Sequence, residues 1–164
     1  MFSNKDLRKL IIPLVIEQLL AVTIGMADTV MVSSCGEAAV SGISLVDSIN
    51  FLLITLFSSL ATGGAVIASQ YIGRGDHKSA SLAAKQLFYA SLALSAVLGI
   101  IAVFFRKPVL NMVFGSIEAD VMAHAQIYFL LSAISYPFLA VYNAGAALFR
   151  SMGDSRTTML ISIL

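Results

Sequence analysis

Four long apolar runs fill almost the whole chain, and they limit what it can fold into. They cover residues 10–33, 44–72, 82–105 and 121–148 of the 164. Each exceeds the roughly 20 residues that a helix needs to cross a bilayer. In each run, apolar residues would occur on all sides of a helix, whereas a soluble amphipathic helix confines them to one stripe. Only 12% of the residues are charged, about half the share of a soluble domain. The sequence therefore predicts an all-α membrane protein with four transmembrane helices.

The basic residues are distributed unevenly between the two ends of these helices. Arg106 and Lys107 lie in one of the connections on one side. The remaining eight all lie on the other side: Lys5, Arg8, Lys9, Arg74, Lys78, Lys85, Arg150 and Arg156. Because cytoplasmic loops carry the excess of lysine and arginine, we predict a multi-pass protein of the cell inner membrane with a cytoplasmic N-terminus. The net charge of +1 gives no reason to expect a nucleic-acid partner.

The beginning of the chain also resembles a signal peptide, with a basic start and an apolar run. Val32-Ser33-Ser34-Cys35 is similar to a lipoprotein cleavage box. Two acids interrupt this run and three more runs follow, so we predict a membrane helix instead. We expect Cys35, the single cysteine, to be a free thiol in an outer loop. Apolar character resumes at about residue 158, so we expect a fifth helix to begin there and a longer protein to contain it.

Glu17 and Asp28 are the two acids inside the first run. They are eleven residues apart, which places them within about 20° of one helix face. Ala21 and Gly25 lie between them, so the face reads acid, small, small, acid. Because an ionisable residue inside a span is a functional-site hypothesis by default, this face is predicted to line a cavity that binds a cation or a proton. For Glu17 the preferred alternative is the inner headgroup level; for Asp28 the alternative is an interfacial acid or cap.

Other polar residues have alternative interpretations. Tyr128 has about the same depth as Asp28 at 1.5 Å per residue, so its hydroxyl could donate to that carboxylate. From sequence alone, a place in the outer aromatic belt is favoured. Asn143 is expected to bridge helices rather than contact substrate. Asp47 is predicted to be a first-turn acid of the second span. The small residues of that span predict close helix approach.

Motifs for enzyme chemistry are absent from the sequence. It contains no G-x-x-x-x-G-K-[ST] phosphate-binding loop, and no nucleophile–base pair is recognisable. His77 and His124 show no metal-ligand spacing with each other. We therefore expect neither an enzyme nor a cofactor.

Three segments together resemble one family. Pro13–Gly42, with Ala27-Asp28-Thr29-Val30-Met31-Val32 at its centre, resembles the first helix and loop of multidrug and toxic compound extrusion (MATE) transporters. Ala68–Asp76 is similar to the family's turn after the second helix. Leu148–Thr157 is similar to its Arg-x-x-Gly-Asp turn after the fourth. The order and spacing of these segments fit over the whole chain.

The resemblance implies twelve helices in two six-helix lobes, of which residues 1–164 would be the N-terminal part of the first. It implies antiport of organic cations against sodium or protons, so the expected partners are small cationic molecules, the bilayer and the rest of the transporter. Asp28 aligns with the family's cation-binding aspartate, and Tyr128 with a tyrosine that supports that site. The family's Asn and Asp on the fifth helix would lie beyond Leu164.

Two other functions are consistent with the sequence. A lipid-linked oligosaccharide flippase of the same superfamily typically has a more basic cavity, whereas these spans hold acids and no clear cavity arginine. A non-transporting four-helix membrane module is the alternative from another class. The sequence beyond Leu164 would distinguish it from a transporter.

Overall fold

The computed structural model describes residues 4–34 and 36–163, and this part of the chain contains six helices and no strand. The helices are α1 Asn4–Ser33, α2 Glu37–Gly73, α3 His77–Phe104, α4 Arg106–Phe114, α5 Ala119–Ser151 and α6 Ser155–Ile163. Four of them, α1, α2, α3 and α5, are long and apolar enough to cross a membrane. The all-α membrane fold predicted from the apolar runs is thereby confirmed. The predicted outer loop residue Cys35 lies outside the described residues.

The helices extend beyond the apolar runs that predicted them. α2 begins at Glu37, so the α1–α2 connection is only a few residues long and Glu37 is the first-turn acid. The prediction for Asp47 was therefore wrong, because this residue lies almost three turns inside α2. The longest predicted connection, Lys107–Asp120, is also largely helical. Its first part forms α4, with Pro108 in the first turn, where a missing N–H costs no hydrogen bond.

The core lies where α5 packs against α2 and α3. Its largest fully buried side chains include Phe57 of α2 with Phe129 and Tyr136 of α5. Near the start of α2, Gly42 allows the backbones of α2 and α5 to approach closely. A Cβ there would lie 2.8 Å from the Val121 carbonyl oxygen. Gly42 precedes the second predicted span; within that span the expected close approach occurs at Gly64, where a Cβ would lie 2.5 Å from Leu87 Cδ1 of α3.

α1 is the least embedded of the four long helices. In its most apolar segment 6% of the residues are buried, against 22–28% in the other three helices. All residues from 21 to 31 are exposed, and the helix packs mainly against α6. Asp28 therefore lies on an exposed part of α1.

The α2–α3 and α5–α6 connections form the same turn. In each, a glycine with positive φ follows the helix end: Gly75 at 76° and Gly153 at 83°. The next residue is an aspartate, Asp76 or Asp154, whose backbone N–H donates to the carbonyl five residues earlier. Its carboxylate then caps the following helix by accepting from the third backbone N–H beyond it. The two Gly-Asp segments are thus helix-stop and helix-start signals that direct the chain back across the bundle.

Candidate functional site: polar residues facing α1, α2 and α5

Five polar side chains form hydrogen bonds between α2 and α5, as one pair and one group of three. The Tyr128 hydroxyl donates to Asp47 Oδ1 at 2.9 Å. Asn50 Nδ2 donates to Ser132 Oγ at 3.1 Å, and the Tyr136 hydroxyl donates to Asn50 Oδ1 at 2.8 Å. We call these residues the outer polar cluster: Asp47, Asn50, Tyr128, Ser132 and Tyr136. Each hydrogen bond joins one helix to the other, so the cluster fixes the register of α5 on α2.

Helical periodicity produces this cluster. Tyr128, Ser132 and Tyr136 recur at intervals of four and therefore line one face of α5, while Asp47 and Asn50 are three apart on α2. Sequence reasoning did not identify Asn50, Ser132 or Tyr136. The signal was available, because three polar residues at this spacing inside an apolar span indicate an interhelical polar face.

Asp28 lies beside this cluster without joining its hydrogen bonds. The residue is exposed on α1, and it is close enough to Tyr128 for an electrostatic interaction. The alternative in which the Tyr128 hydroxyl donates to Asp28 is not observed, because Tyr128 donates to Asp47. The placement of Tyr128 in the outer aromatic belt stays a prediction. Two carboxylates, Asp28 and Asp47, thus lie near one tyrosine hydroxyl.

Glu17 contacts the other half of α5. The Tyr142 hydroxyl donates to Glu17 Oε1 at 3.3 Å, while Glu17 Oε2 is buried and has no hydrogen-bond partner. The preferred sequence interpretation, an acid reaching the inner headgroups, was therefore wrong. A carboxylate that reached the headgroups would have both oxygens in water.

The two acids of α1 are both next to tyrosines of α5. Glu17 and Asp28 are separated by about 16 Å along their helix, and Tyr142 and Tyr128 by about 21 Å along theirs, at 1.5 Å per residue. Gly25, between the acids, has no atom within 4 Å of where a Cβ would lie. The two acids of α1 each interact with a tyrosine of α5, while Gly25 between them has open space beside it. Such a space could admit a small molecule, a cation or water.

A cleft lies between α2 and α5 near the ends of these helices at Gly73 and Ser151. It has a volume of about 300 Å³ and includes Thr62, Asn143 and Arg150 in its lining. Asn143 donates to the Leu139 carbonyl of its own helix at 2.8 Å, so the expected helix bridge was wrong. Arg150 Nε likewise donates to Ala146 of its own helix. Arg150 lies just beyond the fourth predicted span, so the expectation that the spans themselves hold no clear cavity arginine stays a prediction.

The described residues contain no group of three or more His, Cys, Asp or Glu side chains that could hold a metal ion. What the outer polar cluster offers is a pair of carboxylates, amide and hydroxyl oxygens, and aromatic rings. Oxygen ligands of this kind suit hard cations, and aromatic faces suit organic cations.

Comparison with known proteins identifies the family. The family model described as MatE matches residues 13–164. The chain belongs to the MatE family. This is a family of membrane transporters rather than enzymes, and its members handle small-molecule substrates within a membrane. The family resemblance drawn from the three sequence segments is confirmed.

Several relatives cover nearly all of the chain. The uncharacterized transporter YisQ of Bacillus subtilis is 32% identical over 159 residues, which are 92% of this chain and 33% of YisQ. The probable multidrug resistance protein NorM of Thermotoga maritima is 28% identical over 164 residues, with coverages of 97% and 34%. The MatE chain thus spans about a third of the length of the relatives it matches.

A solved structure has the same fold. It is a MOP superfamily transporter from Pyrococcus furiosus, with a TM-score of 0.80 and 24% identity, covering 97% of this MatE chain and 34% of that protein. For that transporter, a reversed polarity of the binding pocket is taken to suggest a different function. The comparison therefore supports the architecture, while the substrate must be inferred from the residues of this chain.

Proposed function

We propose that this MatE protein is a secondary active antiporter that exports organic cations in exchange for sodium or protons, with Asp28 and Asp47 as the carboxylates of its cation site. Residues 1–164 form the N-terminal part of the first of two six-helix lobes, with the N-terminus in the cytoplasm. The transporter needs no cofactor beyond the coupling ion. Its partners are cationic small molecules, the bilayer and the rest of the transporter.

The observation that carries this proposal is that two aspartates interact with the Tyr128 hydroxyl. Asp47 accepts its hydrogen bond, and Asp28 interacts with it electrostatically from α1. Two carboxylates and no basic partner make a site that favours positive charge, since among the described residues neither acid forms an ion pair. Asn143 and Glu17 extend the polar lining toward the other end of the lobe.

Coupling follows from competition for these carboxylates. A proton or sodium ion neutralises the aspartates and stabilises one arrangement of the helices around them. An organic cation binds best when they are ionised and favours another arrangement. A ligand shifts such an equilibrium only through its differential affinity for the two states, and a site between lobes that rock against each other converts that difference into alternating access.

The test is ethidium efflux driven by an imposed proton or sodium gradient, measured in the full-length protein at matched expression. We expect Asp28→Asn to abolish coupled efflux, because an amide of nearly the same shape cannot change charge. Folding should survive, since removal of a charge from a span lowers the insertion cost by up to about 3 kcal/mol. Glu37→Gln is the control, an exposed acid outside the site. Wild-type efflux by Asp28→Asn would contradict the assignment.

One observation favours the flippase alternative. Arg150 lines the α2–α5 cleft with Asn143, and a guanidinium there would attract a phosphate. Arg150→Gln separates the two functions. Loss of efflux only with Asp28→Asn supports cation export, whereas loss of lipid-linked sugar translocation with Arg150→Gln supports the alternative.

A further inference from the structure

A cleft near the starts of α1 and α6 contains two arginines. It has a volume of about 500 Å³, and the two helices pack against each other. Its lining includes Arg8 and Ile12 of α1 together with Asp154 and Arg156 from the start of α6 and the connection before it. We call it the α1–α6 cleft. Both arginines are exposed, so two helices that are distant in sequence bring two positive charges to one accessible site.

The charge of this lining favours an anion. Asp154 is its acid, and both carboxylate oxygens accept from Thr157: Oδ1 from the backbone N–H at 3.1 Å and Oδ2 from the hydroxyl at 2.6 Å. Arg156 interacts electrostatically with Asp154, whereas Arg8 enters the cleft from the other helix. Two arginines against one aspartate leave a positive charge. A guanidinium presents a planar fork of N–H donors that matches the oxygens of a phosphate.

The depth of the cleft indicates a lipid as the source of that phosphate. The apolar spanning segment of α1 begins at Ile11, so Arg8 lies about 5 Å before it at 1.5 Å per residue. Ile12 follows Arg8 by four residues, and Leu160 follows Arg156 by four, so each lies on the same helix face as its arginine. Both apolar side chains are exposed. On each helix a basic group is thus succeeded, one turn deeper, by an apolar group, as a headgroup is succeeded by its acyl chains.

We propose that the α1–α6 cleft binds the phosphate group of an anionic phospholipid, with Arg8 and Arg156 on the phosphate and Ile12 and Leu160 against the acyl chains. Basic pockets between membrane helices on the cytoplasmic side bind such headgroups, and this is the end of the bundle at which the basic residues concentrate. The bound phosphate joins α1, the least embedded long helix, to α6. The site is separate from the outer polar cluster and does not depend on the proposed antiport.

Binding is measured by native mass spectrometry of the purified full-length protein with added phosphatidylglycerol or phosphatidylcholine. We expect the wild type to bind phosphatidylglycerol more tightly, because the choline group offsets the phosphate charge. Arg8→Gln/Arg156→Gln should weaken phosphatidylglycerol binding about fivefold for each arginine lost and remove the preference. Arg74→Gln/Lys78→Gln is the matched control. It removes the same charge from exposed residues at the other Gly-Asp connection and should retain the preference.

A second measurement locates the lipid without any variant. Phosphatidylglycerol with a photoreactive group near its headgroup should crosslink in the wild-type protein to peptides that contain residues 8–13 and 153–160. Crosslinks confined to other segments would show that the rest of the transporter covers the cleft, and would overturn the proposal.

Inorganic phosphate distinguishes the lipid from a free anion. Phosphate that displaced phosphatidylglycerol at an equal concentration would overturn the assignment to a lipid. Equal losses in the two double variants would attribute binding to general surface charge and overturn the site, as would the absence of a preference for phosphatidylglycerol. None of these outcomes bears on efflux by Asp28→Asn, which tests the cation site separately.

Discussion

At the scale of single residues, the organisation of this lobe depends on which helix supplies the partner of each tyrosine. Depth along the membrane normal placed Tyr128 beside Asp28 correctly, but it gave no information on direction around the helix axis. α2 packs closely on α5 through Gly42, so Asp47 reaches the hydroxyl and Asp28 remains at the edge of the open space.

The Tyr128–Asp47 hydrogen bond is expected to couple the two residues energetically. In a double-mutant cycle of Tyr128→Phe and Asp47→Asn, we expect a coupling of about 1 kcal/mol, because interhelical hydrogen bonds in membranes contribute about 0.6–2 kcal/mol. Thermal unfolding in detergent measures it. The pair Tyr128→Phe and Asn50→Ala is a control, since Asn50 bonds to Ser132 and Tyr136 instead. Equal coupling in both cycles would contradict the assigned pairing.

At the scale of helices, glycines distinguish a close interface from open space. A Cβ at Gly42 would lie 2.8 Å from the Val121 carbonyl oxygen and 2.9 Å from the Ala125 nitrogen, both backbone atoms that cannot rotate away. We expect Gly42→Ala to lower the free energy of unfolding by about 1–3 kcal/mol, as overpacking does.

Gly63 is the matched control for that substitution. It lies on the same helix, and no atom lies within 4 Å of the position that an alanine methyl group would take. Gly63→Ala should leave stability unchanged or raise it by up to about 1 kcal/mol, through better helix propensity. Denaturation in detergent compares the two variants. Equal destabilisation by both would show that α2 and α5 do not meet at Gly42.

The two aspartate caps predict a pH dependence of stability. Hydrogen bonds from Ser79 hold the pKa of Asp76 below its usual value, and those from Thr157 do the same for the pKa of Asp154. A lowered folded-state pKa means that the contribution is fully present above the ordinary aspartate pKa, near 3.9, and is lost as pH falls through the folded value. The thermal stability of the wild type should therefore decrease below about pH 4.

The double variant Asp76→Asn/Asp154→Asn isolates this effect. Asparagine keeps an acceptor oxygen for the helix N-terminus but has no carboxyl to titrate. Its unfolding temperature should decrease less than that of wild type over the same acidic range. Parallel curves for the two proteins would show that other acids account for the pH dependence.

At the scale of the whole molecule, hydrophobic length and charge placement predicted the spanning helices, while side-chain partners required the packing. Apolar runs gave the number of spans because bilayer thickness fixes their length. The apolar runs did not predict the first turns of α2, because Glu37 and the small residues that follow it do not form an apolar run. Asn50, Ser132 and Tyr136 were missed because each side chain is unremarkable alone, and only the α2–α5 register turns them into a cluster.

Orientation in the membrane provides the last test. The basic residues concentrate at one end of the bundle, which predicts that the α1–α2 and α4–α5 connections face outward. In a protein freed of other cysteines, an impermeant maleimide added to intact cells should label Cys35, or a cysteine at exposed Ser116. It should not label cysteines at His77 or Met152, both exposed in the two Gly-Asp connections. Ser155 is unsuitable as a reporter because it is 3% exposed, so absence of labelling there would have no meaning. Permeabilised cells provide the control, since all four positions should then react. Labelling of His77 and Met152 but not Ser116 in intact cells would invert the topology and place the outer polar cluster near the cytoplasm.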